Sequence, residues 1–185
     1  MASSDHRAQL ERLAPLLTRE GVDVWSASAS DFDAAMKRAK QRHAAAVGQV
    51  RAVLNAHARN DTSTAGALLE VLEGACDATP PPVPDALTVA SRFAQVAQSV
   101  AAQLPAQVID QTLDRARNPD ALPGMDTLST AVLVDRDAAA GLQAAVRDHG
   151  VDSALYAAAS VASIAFGLWS AHAGTDMGQL VTDHA

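Results

Sequence analysis

Residues 153–175 read SALYAAASVASIAFGLWSAHAGT and contain no Asp, Glu, Lys or Arg. A helix of this length is long enough to cross a bilayer, which needs about 20 apolar residues. Four serines, a histidine and many alanines dilute the stretch, however, and no other segment competes as a second span. A helix that is apolar on all sides is also what the centre of a helical bundle requires. We therefore expect the central helix of a soluble bundle and no membrane span.

The composition of the whole chain points to the same architecture. Alanine makes up more than a fifth of the residues, whereas aromatic residues make up only 3%. Alanine has the highest helix propensity because its side chain loses no rotamer freedom in a helix. Small side chains also let helix axes approach closely, so a core of Ala, Val and Leu predicts helix-on-helix packing. With 185 residues, the chain is predicted to form an all-α, single-domain bundle of about six to seven helices.

Apolar periodicity and helix-breaking residues divide the chain into helical segments. The predicted helices cover residues 5–20, 30–60, 61–78, 85–104, 105–117, 126–149 and 152–174. Four prolines in residues 80–84 predict a stiff connector, 79–84, in the middle of the bundle. Residues 1–4 are expected to be disordered and residues 175–185 to form a tail.

Charge and cysteine content narrow the class of protein. A formal net charge of -7 and a pI near 5.2 argue against nucleic-acid binding, which usually needs a basic face. The basic run 37–42 is interpreted as a solvated helix face. The single cysteine, Cys76, excludes an intramolecular disulfide and fits a reduced compartment. Because residues 1–5 also lack the pattern of a signal peptide, we expect a cytoplasmic protein.

Asp135 is the polar residue that most clearly interrupts an apolar stripe. Its helix face is otherwise apolar, with spacings of three and four along Leu128, Val132, Ala139, Leu142 and Val146. A buried carboxyl group is costly unless it is paired or functional. Asp135 is therefore a candidate general base or ligand anchor inside the bundle. The alternatives are a position at the rim or an arginine partner from another helix.

His43 occupies the corresponding seam of the second predicted helix, between Ala39 and Ala46. A histidine and a carboxylate can act together as base and orienter. His43 and Asp135 are thus the catalytic pair that we predict if the protein is an enzyme. A structural role is the alternative for His43, and nothing in the sequence brings the two side chains together.

The last predicted helix offers three candidate ligand contacts. Tyr156 is the only tyrosine, and its hydroxyl needs a hydrogen-bond partner if it is buried. Ser163 belongs to a face of small residues that permits a close helix crossing, either internally or at a subunit interface. His172 lies near the end of the same helix. Core packing is the alternative role for this face, whose small members are Ala159, Ser163, Gly167 and Ala171.

The sequence predicts no metal and no cofactor. It contains no His-Glu-x-x-His, Glu-x-x-His or paired-cysteine motif and no glycine-rich phosphate loop. Glu70, Glu73 and Asp77 share one helix face near a C-terminus, where negative charge is unfavourable. We interpret them as a solvated acidic face rather than a cation site.

Two functions from different classes remain. The first is a soluble binding or assembly protein that forms a homo- or hetero-oligomer through its helix faces. The second is a small metal-free enzyme that binds a small molecule between helices and uses Asp135 and His43 for proton transfer. A polar cavity shared by those two residues favours the enzyme, whereas a dry, filled interior favours assembly.

Overall fold

The computed structural model of the protein describes residues 4–73 and 79–185. Over these residues the chain forms eight α-helices, one π-helical turn and no strand, which confirms the all-α, single-domain prediction with one helix more than expected. The helices are α1 (Ser4–Arg19), α2 (Ala29–Ala58), α3 (Thr62–Glu70), α4 (Ala86–Ala101), α5 (Ala106–Ala116), α6 (Met125–Thr130), α7 (Ala138–Ala173) and α8 (Met177–His184).

The core is centred on α4 and α7, which share the most extensive helix–helix contact, and α2, α5, α6 and α8 pack around this pair. Its largest fully buried side chains are Phe93 of α4 and Phe166 of α7. Small residues bring the backbones close together elsewhere in it. A Cβ atom added at Gly141 of α7 would lie 2.5 Å from the Cβ of Ala131. Residues on both sides of the connector 79–84 belong to this one cluster, so the two halves of the chain share a core.

The predicted helix 126–149 is interrupted. After α6, residues Ala131–Asp135 form a single π-helical turn, and Arg136 then takes a left-handed backbone with φ of 59°. The side chain of Arg136 donates a hydrogen bond to the carbonyl of Ala101 at 2.8 Å. Asp137 begins α7 by accepting a hydrogen bond from the backbone N–H of Ala140 at 2.9 Å. The break changes the helical register, so residues on its two sides do not share the single face that the sequence predicted.

Gly150 divides α7, as the sequence predicts, because its φ of 84° and ψ of 167° are not helical. The predicted tail, in contrast, is wrong for most of its length. Residues of that segment form α8, in which Leu180 and Val181 are buried against the core. An eight-residue helix is too short for its apolar periodicity to stand out from a loop.

Two predicted segments extend beyond the described residues. The third helix, predicted to reach residue 78, ends at Glu70 and is followed by a turn at 71–73. Cys76 and Asp77 lie outside the described residues, so their predicted roles stay predictions. The disordered lead-in predicted for 1–4 also falls outside them, except for Ser4, which begins α1.

Candidate functional site

The structure does not bring Asp135 and His43 together. Asp135 is exposed at the end of the π-helical turn, next to the residue that contacts Ala101 at the end of α4. His43 is exposed on α2 and lines a cavity with Thr88, at the beginning of α4. Thr88 and Ala101 are about 20 Å apart along α4 at 1.5 Å per residue. The structure therefore places Asp135 at the rim, which is the alternative to a buried site, because the break before α7 turns it away from the core.

In the first half of α2, the buried face also differs from the one that the sequence predicted. Arg42, and not His43, is the buried residue, with 2% of its surface exposed. A pattern of apolar residues cannot reveal that Arg42 is buried, because arginine is expected on the surface unless its partners are known. The partners of Arg42 come from three other parts of the chain.

Arg42 is the centre of a buried ionic network. Its guanidinium donates to both carboxylate oxygens of Glu20, and its Nε lies 3.1 Å from Oδ2 of Asp85. The same guanidinium donates to the carbonyls of Pro81 and Pro82, each at 3.2 Å. Proline lacks an N–H group but keeps its carbonyl as an acceptor. The network thereby joins the end of α1, the middle of α2, the connector and the start of α4.

Two more arginines complete this network. Arg38 donates to Glu20 at 3.2 Å, and Arg19 pairs with Asp85, which also caps α4 through the backbone N–H of Thr88 at 3.0 Å. Burial by itself raises the pKa of Glu20, but hydrogen bonds and charge from Arg42 and Arg38 outweigh it and lower that pKa. Each charge is already engaged by another, so the arrangement is a structural clamp rather than a reaction centre.

A different feature offers a binding surface. Three adjoining cavities of about 290, 320 and 540 Å³ follow the outward face of α7 after Gly150. The first and second share Leu122, and the second and third share Arg115, Ser160 and Ile164. We call this continuous depression the α7 groove. The α7 residues on its floor are three or four positions apart: Asp152, Tyr156, Ser160, Ser163, Gly167 and Ala171. Together they span about 28 Å along the helix.

Two of the three predicted ligand contacts lie on this floor. The hydroxyl of Tyr156 donates to Oε1 of Glu73 at 2.5 Å. Burial, and then the hydrogen bond and charge of Glu73, raise the pKa of Tyr156 to about 12, so the hydroxyl remains a donor at neutral pH. The Oγ of Ser163 is buried and has no hydrogen-bond partner among the described residues. The third predicted contact, His172, is exposed and does not line the groove.

The predicted small-residue face is split between the core and the groove. Ala159 is buried against the core at 2% exposure, whereas Ser163 and Gly167 are half-buried and Ala171 is exposed in the groove. A Cβ atom added at Gly167 would meet no atom within 4 Å. Among the described residues, no helix of the chain therefore fills this part of the groove.

Charges of opposite sign lie at different points along the groove. Glu73 and Asp152 line the first cavity, while Arg115 and Asp120 line the second. Arg115 also lines the third cavity, is exposed, and makes no ion pair with a described residue. His57 is half-buried in the third cavity, and burial lowers its pKa, which favours the neutral imidazole. No sequence pattern singled out Arg115, because its neighbours in space are distant in the chain.

Two findings concern metals and membranes. Within residues 4–73 and 79–185, no three His, Cys, Asp or Glu side chains are placed to hold a metal ion. One helix of that part, α7, is long and apolar enough to cross a membrane, with a mean hydropathy of 1.5 over a window that is half-buried inside the protein. The core helix of a soluble protein passes the same test. The absence of a membrane span thus stays a prediction.

No protein-family model, no curated protein and no solved structure matches the chain.

Proposed function

We propose that this protein is a helical binding or assembly protein, which associates with itself or with a partner chain through the α7 groove. One observation carries the proposal. The outward face of α7 lines three adjoining cavities and its residues there stay partly or fully exposed, in a chain whose other helices, apart from α1, pack into one core. A partly exposed helix face of this length, lined by apolar and small residues, is a feature expected of an interaction surface.

The shape and chemistry of the groove suit a helix. Its length of about 28 Å corresponds to about 19 residues of α-helix. Small residues on the floor let a second backbone approach closely, and Ile164, Leu168 and Met177 supply apolar contact in the third cavity. Serines and Arg115 supply polar contacts among these apolar ones, and most protein interfaces have this mixed composition.

The enzyme alternative loses its specific support. It required a polar cavity shared by Asp135 and His43, yet both side chains are exposed and lie near opposite ends of α4. General acid–base catalysis needs both groups within hydrogen-bond reach of one substrate. The cavity beside His43 is lined by residues from α1 and its C-terminal end, α2 and α4, and Asp135 does not line it.

A matched pair of substitutions tests the proposal. A Cβ atom at Gly167 on the groove floor or at Gly48 on the exposed face of α2 would meet nothing within 4 Å, so both sites accept a larger side chain. We expect Gly167→Trp to abolish the complexes that the wild type forms, because the indole fills the groove. Gly48→Trp should leave them intact. The complexes are measured by sedimentation velocity of the purified protein and by cross-linking in its native host.

Two outcomes would contradict the proposal. Complexes that survive Gly167→Trp as well as they survive Gly48→Trp show that the groove is not the contact surface. A wild-type chain that forms no complex with itself or with any other chain in both experiments contradicts the assembly function altogether. Circular dichroism and urea unfolding of both variants check that the fold is retained.

A further inference from the structure

We infer that a cavity beside Arg19, lined by none of the residues of the α7 groove, binds a small molecule with a carboxylate head and a hydrocarbon tail. The carboxylate lies against Arg19, and the tail lies between α4 and α7. This inference goes beyond the proposed function, because it concerns a different surface of the molecule. It follows from an unbalanced positive charge in the ionic network and from the apolar wall next to that charge.

The cavity has a volume of about 430 Å³ and is lined by the end of α1, the start of α4 and the first part of α7. We call it the Arg19 cavity. Leu87 of α4 and Leu142 and Val146 of α7 supply its apolar wall. Cavities of this volume commonly hold small molecules, which make mostly apolar contacts and are oriented by a few polar groups.

The ionic network gives the Arg19 cavity a positive charge. The network contains three arginines and two carboxylates, so one positive charge is not balanced within it. Arg42 is buried against both carboxylates, whereas the side chain of Arg19 is 37% exposed and lines the cavity. Among the described residues, no Asp or Glu lines this cavity. The local charge therefore favours an anionic head group over a neutral or cationic one.

Arg19 is held in place and still has donors to offer. Its Nη2 donates to Asp85, a carboxylate that is only 2% exposed and is fixed by the rest of the network. The other N–H groups of Arg19 make no hydrogen bond to a described residue. A guanidinium has five N–H donors, so one group can bind a second carboxylate while it keeps the first. A side chain that is already ordered also loses less entropy when a ligand binds.

The test compares three probes that share one hydrocarbon chain and differ in the head group. Octanoate, octanol and octylamine are titrated into the full chain, and their binding is measured by isothermal titration calorimetry. We expect octanoate to bind about tenfold more tightly than octanol, because a charge-assisted hydrogen bond to Arg19 adds to the same apolar contact. Octylamine should bind most weakly of the three.

Substitutions at the two ends of the cavity locate the site. Arg19→Gln should lower the affinity for octanoate to that for octanol and leave octanol binding unchanged, since the apolar wall is retained. Arg19→Lys keeps the charge and should keep most of the preference for octanoate. Ala139→Trp should abolish binding of both probes, because Ala139 is exposed and lines the cavity. Ala140→Trp is the control, since Ala140 is equally exposed on α7 and does not line it.

Three results would overturn the inference. Equal affinity of the wild type for octanoate and octanol, or a preference for octanoate that survives Arg19→Gln, contradicts the role of Arg19. Octanoate binding that is as tight in Ala139→Trp as in Ala140→Trp places the ligand elsewhere on the molecule. A wild-type chain that binds none of the three probes excludes the site altogether.

Discussion

The α4–α7 core and the ionic network around Arg42 both hold helices together, but by different forces. The core is apolar, and its stabilisation is non-directional and grows with the apolar area removed from water. The network buries Glu20, Arg42 and Asp85 to 2% exposure each, and each charge is offset only by a particular partner. A buried ion pair adds little net stability over an apolar replacement, yet losing one partner is costly.

The difference separates two tasks in this fold. Apolar burial drives α4 and α7 together without choosing one arrangement, since many similar side chains fill the same volume. The network sets where α1 and the connector attach, because Arg42 must reach Glu20, Asp85 and two proline carbonyls at once. We expect substitutions in the core to change global stability and substitutions in the network to release one corner of the molecule.

The largest effect is expected for Phe93→Ala. Phe93 is fully buried in α4, so truncation removes apolar contact and leaves a cavity. The free energy of unfolding should fall by about 3–5 kcal/mol, as measured by urea unfolding. Phe32→Ala is the comparison, because Phe32 is only half-buried in the small cluster beside α1. An equal loss in both variants would show that the α4–α7 core does not dominate stability.

Arg42→Met should follow, with a loss of about 3 kcal/mol. The substitution replaces the guanidinium with a shorter, apolar side chain and leaves Glu20 and Asp85 with only the outer arginines, Arg38 and Arg19. Hydrogen exchange should rise mainly in α1 and around the connector rather than in α4 and α7. Arg38→Met, at a site 35% exposed, should cost at most about 1 kcal/mol. Uniform exchange throughout the molecule would contradict a local clamp.

Gly141→Ala should cost about 1–3 kcal/mol, because its new Cβ would lie 2.5 Å from the Cβ of Ala131 and overpack the core. Gly167→Ala makes the same chemical change where the groove is open. It should be neutral or stabilise the monomer by up to about 1 kcal/mol, since alanine favours the helix over glycine. Thermal unfolding of both variants measures the change in stability at a filled site and at an open one. Destabilisation by both substitutions would contradict the expected difference between the two sites.

The smallest effect is a pH dependence of the network. The pKa of Glu20 is lowered in the folded protein, so its charge stabilises the fold above its ordinary pKa of 4.5. That contribution is lost as the pH falls from this value through the lowered pKa. Wild type should therefore be more stable than Glu20→Gln near pH 7, and the difference should shrink below about pH 4.5. Thermal unfolding across this range measures it, and a difference that does not change with pH would exclude a role for the charge.

Several local features were readable in the sequence. Asp61 and Asp85 cap α3 and α4 where the sequence predicts new helices, and Gly21 and Gly150 take positive φ where it predicts helix ends. Capping bonds and glycine conformations act within a few residues, so their signals are local. The residues of the candidate site were harder to predict from the sequence. Tyr156 was found because it is the only tyrosine and its hydroxyl needs a partner, and Ser163 because it belongs to a face of small residues. Arg115 lies on another helix and has no distinguishing neighbour in the chain.

The sequence by itself determined that the chain is all-helical, roughly where most of the helices lie and that small residues dominate its packing. Helix propensity, capping and composition are properties of short segments, and they survive without knowledge of the rest of the fold. Only the tertiary structure decided that Arg42 is buried rather than His43, that Asp135 faces solvent and that the outward face of α7 stays open. Each of these depends on which distant segments meet, because the cost of burying a charge is set by the partner that another helix supplies.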